Sequence, residues 1–400
     1  MKILIIHNLY QQPGGEDQVV QHETELLRSH GHKVVHYFRS NSEMIDHSKV
    51  GAALDSIWSR SACRDLADMI DKEKPEIAHF HNVFFKISPA AYRVCADKNL
   101  AVVQTLHNYR LMCVKGTFLR NGKECFQCLG KKIPWQGIAF GCYRNSKMES
   151  ALLTGNILFH RLNRTWTSKV HQWIVLSNYA KSIYESAGWP AHKIDVKPNF
   201  LFEDPGAAQG DGKGAVFVGR LSEEKGISTL LNAWAQLPDI PLKIVGDGPL
   251  MQWAELEIRS RKITNVFLQG ALSRDEALKV IRDSKVVIFP SIFHEPFGMV
   301  LLEAMALGKP VIASNIRPIT DIVSNEGNPW GLLFAVGMEN ELTARVKEIS
   351  LNAELAQVYG QRARNLFETK YSASGNYKKL IQIYENALKI KNSVETEVNV

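Results

Sequence analysis

No stretch of this sequence approaches the ~18–20 consecutive apolar residues that a membrane-spanning helix needs. Cysteine is scarce, six in 400 residues, too few for a disulfide framework, and thiols stay mostly reduced in the cytoplasm. The opening residues, MKILIIHN, carry one lysine and a short apolar run. They lack the length and the small-residue cleavage site of a secretion signal, so they read as a first buried strand and a cytoplasmic location is expected. The Gly-x-Gly-x-x-Gly fingerprint is missing after that strand, which argues against a nicotinamide-dependent enzyme. Hydrophobic residues at 45% and charged residues at 22% exclude a disordered or collagen-like chain. At ~100–200 residues per domain, two or three domains are expected.

Charge is unevenly placed. Residues 1–197 hold 26 basic and 17 acidic side chains, whereas residues 198–400 hold 22 and 24. Arg110 to Lys169 alone carry 11 basic and 2 acidic residues. Phe118, Phe126, Trp135, Phe140, Tyr143, Phe159 and Trp166 lie in the same segment. Cations mixed with aromatics suit an anionic membrane surface or a phosphorylated ligand; a solvated basic face is the plainer alternative. Nucleic acid is not expected, because no nucleic-acid-binding motif accompanies the patch.

Short β-rich runs alternate with helical patterns throughout. Strands are expected at Lys2–His7, Lys33–Phe38, Ile77–His81, Ala101–Thr105 and Gln172–Leu176, and again at Ala215–Val218, Leu242–Val245, Val266–Gln269, Val286–Phe289 and Pro310–Ala313. Such alternation predicts parallel sheets covered on both faces. The pattern runs twice, with a break near Lys197-Pro198-Asn199 and a glycine-rich stretch at Gly206–Gly214. The expected organisation is an α/β chain of two doubly wound domains, 1–197 and 198–370, facing a cleft. The first carries a basic, cysteine-containing insert at about 110–150. Residues 371–392 form an amphipathic helix that ends the chain or returns to the first domain, with Ser393–Val400 frayed.

Three strand–loop–helix units carry chemistry. Gly14-Gly15 precede the first helix, where backbone approaches a ligand closely and amides are free. Arg220 and Lys225 flank the tight loop after Ala215–Val218; a forked guanidinium and a point charge can hold a diphosphate without metal. The third unit is Pro290-Ser291-Ile292-Phe293-His294-Glu295-Pro296-Phe297-Gly298-Met299-Val300, followed by Leu301-Leu302-Glu303-Ala304-Met305-Ala306-Leu307-Gly308. Pro296 ends the loop and Gly298 opens a helix. Amides at Gly298, Met299 and Val300 then point outward with the positive end of the helix dipole. A pyrophosphate fits there, with Glu295 accepting from a sugar and Glu303 from a ribose.

These motifs, together with Gly14-Gly15-Glu16, Gly31-His32-Lys33-Val34, Gly219-Arg220 with Lys225-Gly226, Val245-Gly246-Asp247-Gly248-Pro249, Ser177-Asn178-Tyr179 and Pro198-Asn199, resemble a retaining glycosyltransferase of family 4 with the two-domain GT-B fold. The resemblance covers nearly the whole length. It implies sugar transfer from a nucleotide-sugar donor by a metal-independent front-face reaction, with Gly219 and Gly246 among the donor-binding positions. Arg220, Lys225 and Glu295 are then expected in the catalytic machinery. His107, in Thr105-Leu106-His107-Asn108-Tyr109, ends an expected strand; in similar enzymes a histidine of this motif contacts the donor sugar. Many members have Asp where Asn108 stands, which removes an acid role there. His79 and His81, at another strand end, and Tyr109 and Arg110 are read on the acceptor side.

Cys113, Cys125, Cys128 and Cys142 fall inside the basic insert, and the middle pair is Cys-x-x-Cys. Four thiolates suffice for a closed structural zinc site, and a loop this long needs some clip. The flanking gaps do not match a common zinc-finger spacing, so unliganded thiols remain the alternative. The expected activity is cell-surface polysaccharide synthesis at the cytoplasmic face of a membrane, with a uridine rather than a guanosine diphosphate sugar as donor and a glycan or lipid-linked acceptor. No cofactor is required. A soluble sugar-phosphate acceptor, a non-catalytic sugar-nucleotide-binding protein and a GT-B epimerase are the alternatives.

Overall fold

The computed structural model describes residues 1–10, 14–40 and 55–398; Pro13, inside the first glycine motif, lies outside them. By its contacts the chain divides into two units. Unit 1 is Met1–Thr117, Phe126–Phe202 and Ala373–Val400, and unit 2 is Phe118–Cys125 and Glu203–Ser372.

Unit 1 is built on a parallel sheet. Its strands are β1 (Lys2–Leu9), β2 (Lys33–Ser40), β3 (Ile77–Phe80) and β4 (Ala101–Leu106). A small antiparallel hairpin, β5 (Leu119–Arg120) and β6 (Lys123–Glu124), interrupts the series and belongs to unit 2. β7 (Gln172–Val175) and β8 (Ile194–Val196) complete the sheet, in the order β2-β1-β3-β4-β7-β8. Ile3 pairs with both Val34 and Ile77, and Val103 with Gln172. Strands covered on both faces need apolar side chains at successive positions, which is why Ile3 through Ile6 are all buried. The sheet order reverses at β1, so a crevice opens beyond the C-terminal ends of β1 and β3.

The last helix, Ala373–Val398, packs on unit 1. Leu380, Ile383, Tyr384 and Ala387 are buried with Ile3, Ile5, Val103 and Ile174. Tyr371 and Ser372 count with unit 2, and the helix persists to Val398 rather than fraying from Ser393.

Unit 2 repeats the plan. β9 (Ala215–Val218), β10 (Leu242–Val245), β11 (Val266–Gly270), β12 (Val286–Phe289), β13 (Val311–Ser314) and β14 (Gly331–Phe334) are parallel, in the order β11-β10-β9-β12-β13-β14. The reversal lies between β9 and β12. Two glycines hold the loops there at backbone contact. A Cβ on Gly246 would stand 1.9 Å from the Gly219 carbonyl oxygen, and one on Gly226 2.0 Å from that of Pro290. Both have positive φ, 132° and 73°, which larger residues adopt with strain.

Among the described residues the only group of three or more metal-ligating side chains within reach of one another is Glu23, His79 and His81. Cys113, Cys125, Cys128 and Cys142 form no such group and no disulfide. The clip is a guanidinium instead. Arg161, on the helix Lys147–Leu162, donates to the carbonyls of Leu111, Lys131 (2.6 Å) and Lys132 (3.1 Å). Main-chain turns add to it, with Tyr109 N–H donating to Gly116 and Leu129 N–H to Phe126. Arg161→Ala leaves three carbonyls without their donor, at ~1–3 kcal/mol for each that stays buried. Limited proteolysis then cuts faster between residues 110 and 135 in this variant, whereas EDTA leaves the cleavage rate of the wild type unchanged.

Candidate active site

In unit 2 the loops after β9 and β12 bring together residues 70 apart in sequence. Lys225 Nζ lies 2.7 Å from both carboxylate oxygens of Glu295, and Ser291 Oγ donates to Oε2 at 3.0 Å. The ammonium also lies 5.5 Å from the Phe293 ring centroid and 5.8 Å from that of Phe289, within cation–π range. Both partners are part-buried, so the pair is screened less than a surface ion pair. Arg220 is exposed and makes no side-chain hydrogen bond or ion pair with another described residue.

Directly after this loop begins the helix Met299–Ala306, with Gly298 as its N-cap and no side chain capping it. The amides of Gly298, Met299 and Val300 donate to no group among the described residues. Free amides at a helix start suit an anion. Glu303 is one turn further on and buried. Burial pushes its carboxyl up to about 7, with Arg274 pulling partly back. Arg274 opens the helix Arg274–Asp283, and its buried Nε has no hydrogen-bond partner. Two depressions of unit 2, about 590 and 550 Å³, open beside residues 207–213. They lie away from the strand C-termini, where ligands of such sheets bind.

In unit 1 the strand ends converge on histidines. His7 lies near the end of β1, His79 and His81 straddle the end of β3, and His107 follows β4. His81 Nδ1 is 2.9 Å from His107 Nε2, and the rings stack at 5.2 Å. His79 is locked between the Tyr384 hydroxyl and Thr105 Oγ1, both at 2.8 Å. His7 Nε2 meets Asp17 at 2.8 Å. Burial lowers all three of His79, His81 and His107, His79 to about 4, with neighbouring imidazoles and Lys197 lowering His81 and His107 further. All three rings are therefore neutral near pH 7.

Beneath them lies an ion pair. Glu23 Oε1 accepts from Lys197 Nζ at 2.6 Å, and Lys197 also donates to Asn376 Oδ1 at 3.1 Å. Both charges are fully buried.

Several sequence expectations change here. His79 and Tyr109 are core residues, the latter 1% exposed and stacked near Tyr184, so neither side chain lines an open acceptor surface. Arg110 sits 5.7–6.0 Å from the rings of Phe84, Phe85 and Tyr143. At Gly14 the N–H is taken by Asp17 Oδ2 at 2.8 Å, while Gly15 is exposed. Asn108 has a structural task, its Oδ1 accepting from the Arg110 N–H.

Other residues went unmarked in the sequence. His294 donates Nδ1–H to the Arg317 carbonyl at 2.6 Å, and its Nε2 lies 2.7 Å from Glu124 of the hairpin. Ser291, Arg274 and Lys197 carry no local signal. Glu23 does: it interrupts the buried stripe Val19, Val20, Leu26 and Leu27 of the first helix.

Glu303 gives unit 2 a pH dependence. Its ordinary pKa is 4.5 and its folded value about 7, so between these limits the folded state keeps a proton that the unfolded chain has lost. Stability therefore falls as pH rises through the window, by on the order of 3 kcal/mol in all. Urea midpoints of unit 2 at pH 5 and 7.5 should differ in the wild type and converge in Glu303→Gln; equal slopes in the two proteins contradict the assignment.

Comparison with known proteins fits this geometry. Residues 202–366 match the family model for glycosyl transferases group 1. An uncharacterised glycosyltransferase of Methanocaldococcus jannaschii is 32% identical over 164 residues, 41% of this chain and 45% of that protein. The O-antigen chain mannosyltransferase C of Escherichia coli is 29% identical over 177 residues, 44% of this chain and 47% of that one. The chain spans about half the length of these curated relatives. Among solved structures, sucrose-phosphate synthase from Thermosynechococcus elongatus superposes with a TM-score of 0.71 at 17% identity, covering 96% of this chain and 98% of that one. Anabaena HepE in complex with UDP and glucose superposes with a TM-score of 0.65 at 16% identity over 96% and 98%. The chain thus has the GT-B fold, and its residues 202–366 match the family model for glycosyl transferases group 1.

Proposed function

We propose that this protein is a retaining glycosyltransferase of the family 4 type, moving a sugar from a nucleotide-sugar donor to a glycan or lipid-linked acceptor. The observation that carries the proposal is the cluster of Lys225, Glu295 and the unpartnered amides of Gly298, Met299 and Val300 at the β9/β12 reversal. It lies inside the segment that matches the family. The amides, Lys225 and Arg220 receive the diphosphate. They stabilise charge that grows as the sugar–phosphate bond breaks, where preorganised donors are most effective. Displaced from Lys225 by the phosphates, Glu295 accepts from hydroxyls of the transferred sugar. Glu303 accepts from the ribose; His107, by its motif, is a sugar-contacting residue of unit 1. No residue of the cluster requires a metal to bind the diphosphate. A uridine nucleotide is the favoured base, in keeping with the UDP bound to HepE.

The insert supplies a membrane-facing surface for this reading. Its aromatics divide in two: Phe118 and Trp166 are core residues, whereas Trp135, Phe140 and Phe159 are exposed. On the helix Lys147–Leu162, Met148, Leu152, Phe159 and Leu162 are exposed at helical spacing, Met148 at 62% and Leu162 at 75%. Trp58 packs edge-on to Phe159 at 6.3 Å, extending the stripe. Lys131, Lys132, Arg144, Lys147 and Arg164 are exposed along the same segment. An apolar stripe bordered by cations suits an anionic bilayer, at ~1 kcal/mol per basic residue. No helix among the described residues is long and apolar enough to cross one.

Two experiments test the proposal. Nucleotide release from a panel of nucleotide sugars, in EDTA with an acceptor extract, should be donor-selective. Glu295→Ala and Lys225→Ala should each lower it on the order of 10²–10³-fold, and Lys225→Ala should also weaken binding of the free nucleoside diphosphate. No release and no binding with any donor refutes the transferase. Separately, the protein should sediment with vesicles containing phosphatidylglycerol but not with phosphatidylcholine alone. Trp135→Ala with Phe140→Ala should abolish sedimentation, and 0.5 M salt should weaken it. Equal recovery in the supernatant with both lipids favours a soluble acceptor.

A further inference from the structure

Unit 1 holds an acceptor and a ring nitrogen that face each other without a formed bond. Glu23 Oε2 and His81 Nε2 are buried, neither has a hydrogen-bond partner, and they lie 3.5 Å apart. His81 in turn meets His107 through Nδ1, at 2.9 Å. His107 Nδ1 has no partner among the described residues, and the ring is half-buried, so that nitrogen is the reachable end of the chain.

Donor and acceptor rules fix the direction of this chain. Lys197 has only hydrogens to give, and its ammonium lies 2.6 Å from Glu23 Oε1 in a buried ion pair; the carboxylate of such a pair is an acceptor at both oxygens. His81 Nε2 must then carry its proton; the other tautomer would set a lone pair against the carboxylate in a buried site. A neutral imidazole protonated on Nε2 has an accepting Nδ1. His107 must therefore donate from Nε2, which leaves its own Nδ1 unprotonated.

We propose that Glu23 sets the tautomer of His107 through His81, so that His107 presents an accepting Nδ1 to a hydroxyl of the bound sugar. Glu23 and His81 are thus positioning residues. The proposal rests on the glycosyltransferase reading only for the ligand that owns the hydroxyl. The orientation of both rings is held by the fold, since Glu23 is on the first helix, His81 at the end of β3 and His107 after β4.

A metal ion at the same place is the competing occupant, because Glu23, His79 and His81 offer three ligand atoms within 4.8 Å of one another. Two features oppose it. Lys197 already places a positive charge against the carboxylate, and both nitrogens of His79 are engaged, by Tyr384 and Thr105.

Nitrogen-15 NMR on the full chain labelled in histidine tests the proposal, with His107 assigned by the loss of its signals in His107→Asn. In the wild type, His107 should carry its proton on Nε2. In Glu23→Gln the carboxamide oxygen must face Lys197, so its NH₂ faces His81. The order of donation then reverses and His107 becomes protonated on Nδ1. Transfer should fall on the order of 10²-fold in kcat, with a small change in KM, because the sugar hydroxyl now meets a donor. A wild-type His107 protonated on Nδ1 overturns the proposal, even if Glu23→Gln does not fold. So does an unchanged tautomer in Glu23→Gln, or one equivalent of zinc in the purified protein. Tautomers that follow the prediction in a protein that turns over no nucleotide sugar leave the relay standing and remove the transferase reading alone.

Discussion

Unit 1 is organised around two opposite charges that have no access to water. Glu23 comes from the first helix, and Lys197 follows the last strand of the sheet. Asn376, from the helix that ends the chain, accepts from Lys197 and donates to the Pro198 carbonyl at 2.7 Å. One ammonium therefore joins three segments that are 353 residues apart at their extremes. Losing either partner of such a pair strands a buried charge, at ~3–5 kcal/mol. The same charge pair determines which lone pairs the neighbouring imidazoles present. A structural contact and a site-shaping contact are here the same contact.

Unit 2 solves a different problem. Lys225, Glu295 and the free amides after Gly298 meet only because the loops that carry them crowd together at the β9/β12 reversal. Backbone contact at Gly226 and Gly246 permits that crowding. The closeness brings Lys225 and Glu295 into a 2.7 Å pair, so each is oriented by the other before any ligand arrives. Preorganisation of this kind lowers the cost of ordering side chains at the moment of binding. Glu303, held neutral by burial over part of the physiological range, adds a group whose charge responds to what is seated above it.

In the insert a long loop is gathered onto one side chain. Three backbone carbonyls converge on Arg161, and a guanidinium with five donors can satisfy them together. The helix that carries Arg161 turns its other face outward, with Met148, Leu152, Phe159 and Leu162 uncovered. Anchoring and exposure thus reside on opposite sides of one amphipathic helix.

Local pattern was enough for ten of the twelve strands in the two parallel sheets, while the short β8 and the edge strand β14 went unmarked. Buried parallel strands demand consecutive apolar residues, and strand ends demand glycine, proline and polar residues, so the sequence marks both. Lys225, Glu295 and the amides after Gly298 were legible for the same reason, since each sits at a strand end next to a turn signal. Cysteine spacing left no sign of the Arg161 clip, because number and spacing of thiols say nothing of where the intervening chain carries them. Tyr109 and His79 were misplaced because strand-end position does not tell which way a side chain points. Glu23 went unmarked although it interrupts an apolar stripe, and its partner Lys197 is 174 residues away. Sequence alone determined most of the strands, their loops and the chemistry the loops can offer. Only tertiary structure decided the buried partners, because the energy of a buried charge depends on what surrounds it in space and not on its neighbours along the chain.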